Sequence, residues 1–173
     1  MPTPQGANPV TDQDPESADR KRPARGVLIT DSDRTTVFVS LCTKDRRRWL
    51  ASAAVHDGLR QAWDEAQAWW LGRYVVIMPD HIHLFAAPTH MPVELDAWIQ
   101  FWKSAFTKHM RRSGSFDIPA HPWQTGHWDT RLRTWQNYDQ KWDYVRNNPV
   151  RHGLVARSGE WPYQGEMHSL TWD

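Results

Sequence analysis

The sequence predicts an α+β fold, a ferredoxin-like βαββαβ antiparallel sheet with an extra C-terminal helix. Short β-branched and apolar runs alternate with longer stretches of helical periodicity. The turn pair Pro79-Asp80 separates two of the short runs, which therefore adjoin as a hairpin. One further helical segment follows the last strand. At 173 residues the chain is long enough to bury an ordinary core in a single domain.

Residues 1–25 read as a disordered tail, since five of the 12 prolines fall there with no apolar periodicity to offset the entropy of ordering. The folded domain is expected over 26–173. Thr35–Thr43 is rich in β-branched and apolar residues and reads as the first strand. Lys44–Arg48 is a basic loop. Ser52 suits a helix N-cap, and Val55, Leu59, Ala62, Trp63, Ala66 and Trp70 recur at helical spacing, with Gly72 as the stop. Tyr74–Met78 and His81–Ala87 form the hairpin. Pro92 opens a second helix with Leu95, Trp98, Ile99, Trp102, Phe106 and Met110 on its apolar stripe, ended by Ser113-Gly114. Trp128–Arg133 is a short strand. Asn137 with Gln140 makes a capping box for the last helix, whose buried face is Tyr138, Trp142 and Val145 and which ends near Asn148, before Pro149. Gly153 onward reads as mostly irregular. The two crossover helices take one face of such a sheet, and the extra helix is available to cover the other.

No apolar run approaches the length of roughly 18 residues that a membrane span requires. The N-terminus has no apolar segment of a secretory signal, and the single cysteine, Cys42, has no partner for an internal disulfide. A cytoplasmic protein without a membrane partner is expected. Net charge is +1, but bases gather in Lys44–Arg48, Lys103–Arg112 and Arg131–Arg157, while the tail is acidic. The 12 tryptophans must largely pack in the core, although aromatic planes also stack on unpaired bases.

Two constellations bear chemistry. On a strand, His81 and His83 point to one face while Ile82 and Leu84 point to the other. If the apolar pair faces the helix-covered core, two imidazoles stand together on the opposite face, where neutral imidazoles can hold a divalent ion. Tyr144 and Asn148 lie four residues apart on one helix and flank its buried stripe, so Tyr144 is free to face something other than the core.

The strand reads Met78-Pro79-Asp80-His81-Ile82-His83-Leu84, and the last helix runs from Tyr144 into Asn148-Pro149-Val150-Arg151-His152-Gly153-Leu154-Val155. Together these resemble the two signatures of the REP-associated tyrosine transposases, single-tyrosine members of the HUH nuclease superfamily. The likeness extends through Trp102–Thr107, Trp123-Gln124, Trp128 and Trp161-Pro162, covering roughly 34–163 with order and spacing kept. It implies that His81 and His83 bind Mg²⁺ or Mn²⁺, with the Asn148 carbonyl as third ligand, and that Tyr144 is the nucleophile. It implies cleavage and strand transfer of single-stranded, hairpin-forming DNA through a 5′-phosphotyrosine. Lys103, Arg111, Arg131 and Arg133 are the candidate phosphate contacts. Asp80 departs from the asparagine common in the family and is read as a turn residue. A monomer is expected.

Two other classes compete. A non-catalytic module on the same fold would bind single-stranded nucleic acid and be indifferent to Tyr144→Phe. A histidine-triad nucleotide hydrolase needs a third alternate histidine, and Phe85 stands in that place.

Overall fold

The computed structural model describes residues 36–76 and 78–170, so the tail expected over 1–25 and Thr35 lie outside the described residues. Five strands and four helices follow in order: β1 (Thr36–Cys42), α1 (Ala53–Glu65), β2 (Trp69–Val76), β3 (His81–Pro88), α2 (Leu95–Ser113), β4 (Trp128–Leu132), α3 (Trp135–Arg146), the one-turn α4 (Asn148–Arg151) and β5 (Gln164–Glu166). The strands form one sheet in the order β4-β1-β3-β2-β5, each neighbouring pair antiparallel. The expected mixed architecture, an antiparallel sheet packed with helices, is what the chain forms.

Strand alternation divides the core in two. Val37, Val39 and Leu41 of β1 and Ile82, Leu84 and Ala86 of β3 face α1 and α2, meeting Val55, Leu59, Trp98, Trp102 and Phe106. Phe38 and Phe85 point the other way and pack with Leu132, Tyr138, Val145 and Trp161, so α3 covers the second face. Each fully buried large apolar side chain contributes about 1.5–3 kcal/mol, and both faces of β1 and β3 supply them.

The caps at Ser52 and Gly114 are as read: the Ser52 hydroxyl accepts from the Val55 amide, and Gly114 takes the left-handed conformation, φ 63°. Several boundaries differ, and the last helix, expected to carry both Tyr144 and Asn148, ends at Arg146 and is followed across Asn147 by α4, so the two residues stand on successive helices. α1 stops at Glu65 rather than running through Trp70, because the Trp98 indole N–H donates to the Ala66 carbonyl (2.8 Å) and closes the helix end. Trp70 and Gly72 belong to β2, and Gly72 lies in a register shift between Leu71 and Tyr74. α2 starts at Leu95, three residues after Pro92. α3 starts at Trp135, because Thr134 rather than Asn137 is its N-cap: the Thr134 hydroxyl accepts from the Asn137 amide. β5, in the stretch read as irregular, pairs with β2; three residues centred on a glycine carry no local strand signal.

Candidate functional site

The Pro79-Asp80 turn is tied to the end of β1, since the Thr43 amide donates to the Asp80 carbonyl (2.9 Å) and the Trp49 and Leu50 amides donate to that of Pro79 (2.8 Å each). From this turn β3 sends Ile82 and Leu84 into the α1–α2 core, leaving His81 and His83 on the α3 side. Their ring centroids are 4.9 Å apart, and His83 stacks on Phe38 at 5.4 Å.

A neighbour orients each imidazole. His81 Nδ1 lies 2.9 Å from Asp80 Oδ1, and Arg46 Nε lies 2.9 Å from Asp80 Oδ2. Burial pushes the Asp80 carboxyl up, but the hydrogen bond and charge of His81 and the Arg46 guanidinium outweigh it and hold the group below the usual carboxylate range. The ionised Asp80 accepts from His81 Nδ1–H, which turns Nε2 away from the carboxylate. Arg46 also donates to Cys42 Sγ at 2.7 Å. Asp45 and Arg46 both adopt positive φ, 56° and 54°, which costs a non-glycine residue about 1–3 kcal/mol. The loop bears that strain while delivering Arg46 to Asp80.

His83 is set by a longer chain. Arg151 donates to Asn148 Oδ1, and a guanidinium can only donate, so this contact fixes which way the amide points. Asn148 Nδ2 then faces His83 Nε2 at 3.3 Å as a donor. The His83 proton therefore sits on Nδ1, donating to Ser40 Oγ at 2.8 Å. Burial first, then the positive charges of His81, Lys141, Arg46 and Arg151, hold the His83 pKa well below its ordinary value. The ring is neutral at neutral pH, the state a ligand requires.

α3 and α4 bring the remaining parts. Tyr138 and Trp142 pack on Phe85 at 5.0 and 5.9 Å, anchoring the helix over the sheet. Tyr144 is 44% exposed, so its ring is not locked in the interior, and Asn148 is 6% exposed, turned inward to His83. The Arg151 guanidinium lies 3.8 Å over the Tyr144 ring and donates to the Tyr144 carbonyl at 2.8 Å. Lys141 Nζ stands 5.9 Å from the same ring centroid and 5.0 Å from that of Phe38.

The structure thus gathers His81, His83, Asn148 and Tyr144, and adds Ser40, Arg46, Asp80, Lys141 and Arg151, which sequence reasoning had not assigned to the site. Arg151 had a signal, lying within the quoted motif and three residues beyond Asn148. The expected phosphate contacts lie elsewhere. Lys103 is 5% exposed on α2, on the opposite side of the sheet, with Nζ over the Trp123 ring at 5.7 Å. Arg111 donates to the Ala120 carbonyl at 2.7 Å near the C-terminal end of α2. Arg131 pairs with Val37 and so projects to the α2 side, and Arg133 follows the end of β4 remote from the Ser40 row. His127, also on the α2 side, lies between Asp96 (3.4 Å) and Asp129 (3.6 Å).

The donor set fits a divalent cation. Each imidazole has its Nδ1 against an oxygen partner, the arrangement in which Nε2 ligates and a second partner sets ring orientation. Asn148 would supply Oδ1 after a half-turn of its amide, away from Arg151. Among the described residues no group of three or more His, Cys, Asp or Glu side chains is placed to hold a metal ion.

No family model matches the chain. A REP-associated tyrosine transposase of Escherichia coli is 27% identical over 99 residues, 57% of this chain and 52% of that protein. A protein of Haemophilus influenzae named for the same family is 28% identical over 96 residues, 51% of this chain and 54% of its own length. The chain thus spans about half the length of the curated relatives it matches. A solved structure of a REP-associated tyrosine transposase bound to a REP hairpin superposes with a TM-score of 0.65 at 22% identity, covering 83% of this chain and 82% of that one, a likeness of fold. These relatives carry the family name that the two motifs point to. Among the described residues no helix is long and apolar enough to cross a membrane.

Proposed function

We propose that this chain is a metal-dependent tyrosine transposase or endonuclease of the REP-associated type, cutting and rejoining single-stranded DNA beside a hairpin. The carrying observation is the convergence of His83 on β3 with Asn148, at 3.3 Å, one helical turn beyond the exposed Tyr144. The sheet order β4-β1-β3-β2 supports reading the core as ferredoxin-like, with β5 added at the β2 edge and α3 as the tyrosine helix.

In this reading His81 and His83 would hold Mg²⁺ or Mn²⁺ through Nε2, with Asn148 Oδ1 as the third ligand. A cation held there would polarise the scissile phosphate and neutralise charge that develops on it. The chain's own residues do the rest. Tyr144 Oη attacks phosphorus and loses its proton to solvent, the bond to the 3′-oxygen breaks and that oxygen takes up a proton from solvent, leaving a 5′-phosphotyrosine and a free 3′-hydroxyl. Attack by another 3′-hydroxyl reverses the step and joins strands. Arg151 and Lys141 flank the Tyr144 ring, bringing positive charge to the side from which a phosphate would be attacked.

The test is incubation of the full chain with labelled single-stranded hairpin oligonucleotides, in Mn²⁺ or in EDTA. A Mn²⁺-dependent protein–DNA adduct that maps to Tyr144 and disappears in Tyr144→Phe is expected. Tyr144→Phe retains DNA binding, because the ring and its contact with Arg151 remain. Binding without an adduct at any metal concentration overturns the catalytic reading and leaves a nucleic-acid-binding module.

A further inference from the structure

Ser40 of β1 pairs with His83 on one side and with Trp128 of β4 on the other. Directly opposed residues of neighbouring strands project to the same face. His83, Ser40 and Trp128 therefore form one row across the sheet on its α3 side, with imidazole, hydroxyl and indole in succession. The Ser40 hydroxyl contacts His83 Nδ1 at 2.8 Å, so the row is continuous with the candidate site.

Trp128 is 43% exposed, and among the described residues its indole has no ring partner. Other tryptophans behave differently. Trp123 meets Trp49 at 5.5 Å and Trp102 at 5.6 Å, and the exposed Trp135 stacks on Tyr138 at 5.4 Å. A scattered exposed apolar residue is ordinary, but this one shares a row with His83, one strand removed, and Lys141, Arg46 and Arg151 bring positive charge to that imidazole. That surrounding suits a phosphate. An indole face next to a phosphate site suits the base that phosphate carries, because base–aromatic stacking needs no particular sequence.

We infer that Trp128 is the stacking platform for one unpaired base adjoining the scissile phosphate, a positioning residue for the reaction proposed above, on which this inference rests. It seats the strand so that the phosphate meets His83 and Tyr144, and it adds affinity without reading sequence.

The test reads binding alone, so it stands apart from the adduct experiment. Fluorescently labelled single-stranded dT12 and a 12-unit abasic oligonucleotide of the same charge are titrated into the full chain without metal. The unmodified chain is expected to favour dT12. In Trp128→Ala dT12 binding falls by about tenfold, the scale of losing one base–aromatic stack, while abasic binding is unchanged. Trp128→Phe keeps most of the preference, and the thermal midpoint stays near that of the unmodified chain. An equal loss for both oligonucleotides in Trp128→Ala overturns the inference, as does a base preference that survives it. A change in oligomeric state with base preference intact also overturns it, because the indole would then belong to an interface between copies. A chain that shows the preference yet forms no adduct supports Trp128 stacking and defeats the cleavage reading alone.

Discussion

Asp80 illustrates what single residues contribute to the site. Its turn role could be filled by asparagine, but its carboxylate also links Arg46 to His81, with both contacts at 2.9 Å. Partners of this kind typically change metal affinity 10- to 100-fold. Asp80→Ala is therefore expected to weaken Mn²⁺ binding by about that factor in isothermal titration, and Asp80→Asn, which still accepts from His81, by less. Lys103 gives a second prediction. Burial lowers its pKa from 10.5 to about 8, partly offset by Cys42 and Asp96. Between those values the unfolded chain binds more protons than the folded one, so stability rises with pH there, and at neutral pH the buried ammonium is a liability. Lys103→Met should stabilise the chain at pH 7 by on the order of 1–3 kcal/mol. The gain should shrink as pH climbs from about 8 to 10.5 in denaturant titrations run on both proteins. The inward position had a signal in the sequence, since Lys103 falls between Ile99 and Phe106 at helical spacing on the apolar stripe.

Secondary elements were legible where local pattern and tertiary need agree. The alternation of His81 and His83 against Ile82 and Leu84 follows from strand geometry alone, whereas Tyr144 and Asn148, read as sharing one helix, stand on α3 and α4. The meeting of β3 with α4, across 65 residues, does not follow from any period and came only through the resemblance. The end of α1 was illegible for a related reason. Ala66 and Trp70 extend the helical pattern, yet a bond from Trp98, 32 residues away, stops it. α1 and α2 also approach closely at Gly58, where an added Cβ would stand 2.5 Å from Met110 Sδ and 3.3 Å from Phe106. A flexible thioether can yield to one methyl group, and Ala gains about 1 kcal/mol in helix propensity, so Gly58→Ala should be near neutral. Gly58→Val adds branches that this tight contact cannot absorb and should cost about 1–3 kcal/mol in thermal or urea unfolding.

At the scale of the whole molecule, the sheet separates the larger core from the proposed site. One face carries that core with α1 and α2, and the other holds α3 with Tyr144, followed by α4 with Asn148, against Phe38, Phe85, Val145 and Trp161. Adjacent residues of β3 serve the two faces: Leu84 and Phe85 are both fully buried, but only Phe85 touches α3. Leu84→Ala should cost about 2–5 kcal/mol and Phe85→Ala about 3–5 kcal/mol, so their midpoints should fall comparably. The faces predict different local consequences. Phe85→Ala removes the ring on which Tyr138 and Trp142 rest, so amides of α3 should exchange with solvent faster than those of α1 and α2 under native conditions. Adduct formation at Tyr144 should fall with them well below the midpoint. Leu84→Ala should speed exchange mainly in α1 and α2, and the adduct should persist until the chain unfolds. If the two variants gave the same exchange profile, the second cluster would not open independently, and α3 would be an integral wall of one core rather than a separately held carrier of the tyrosine.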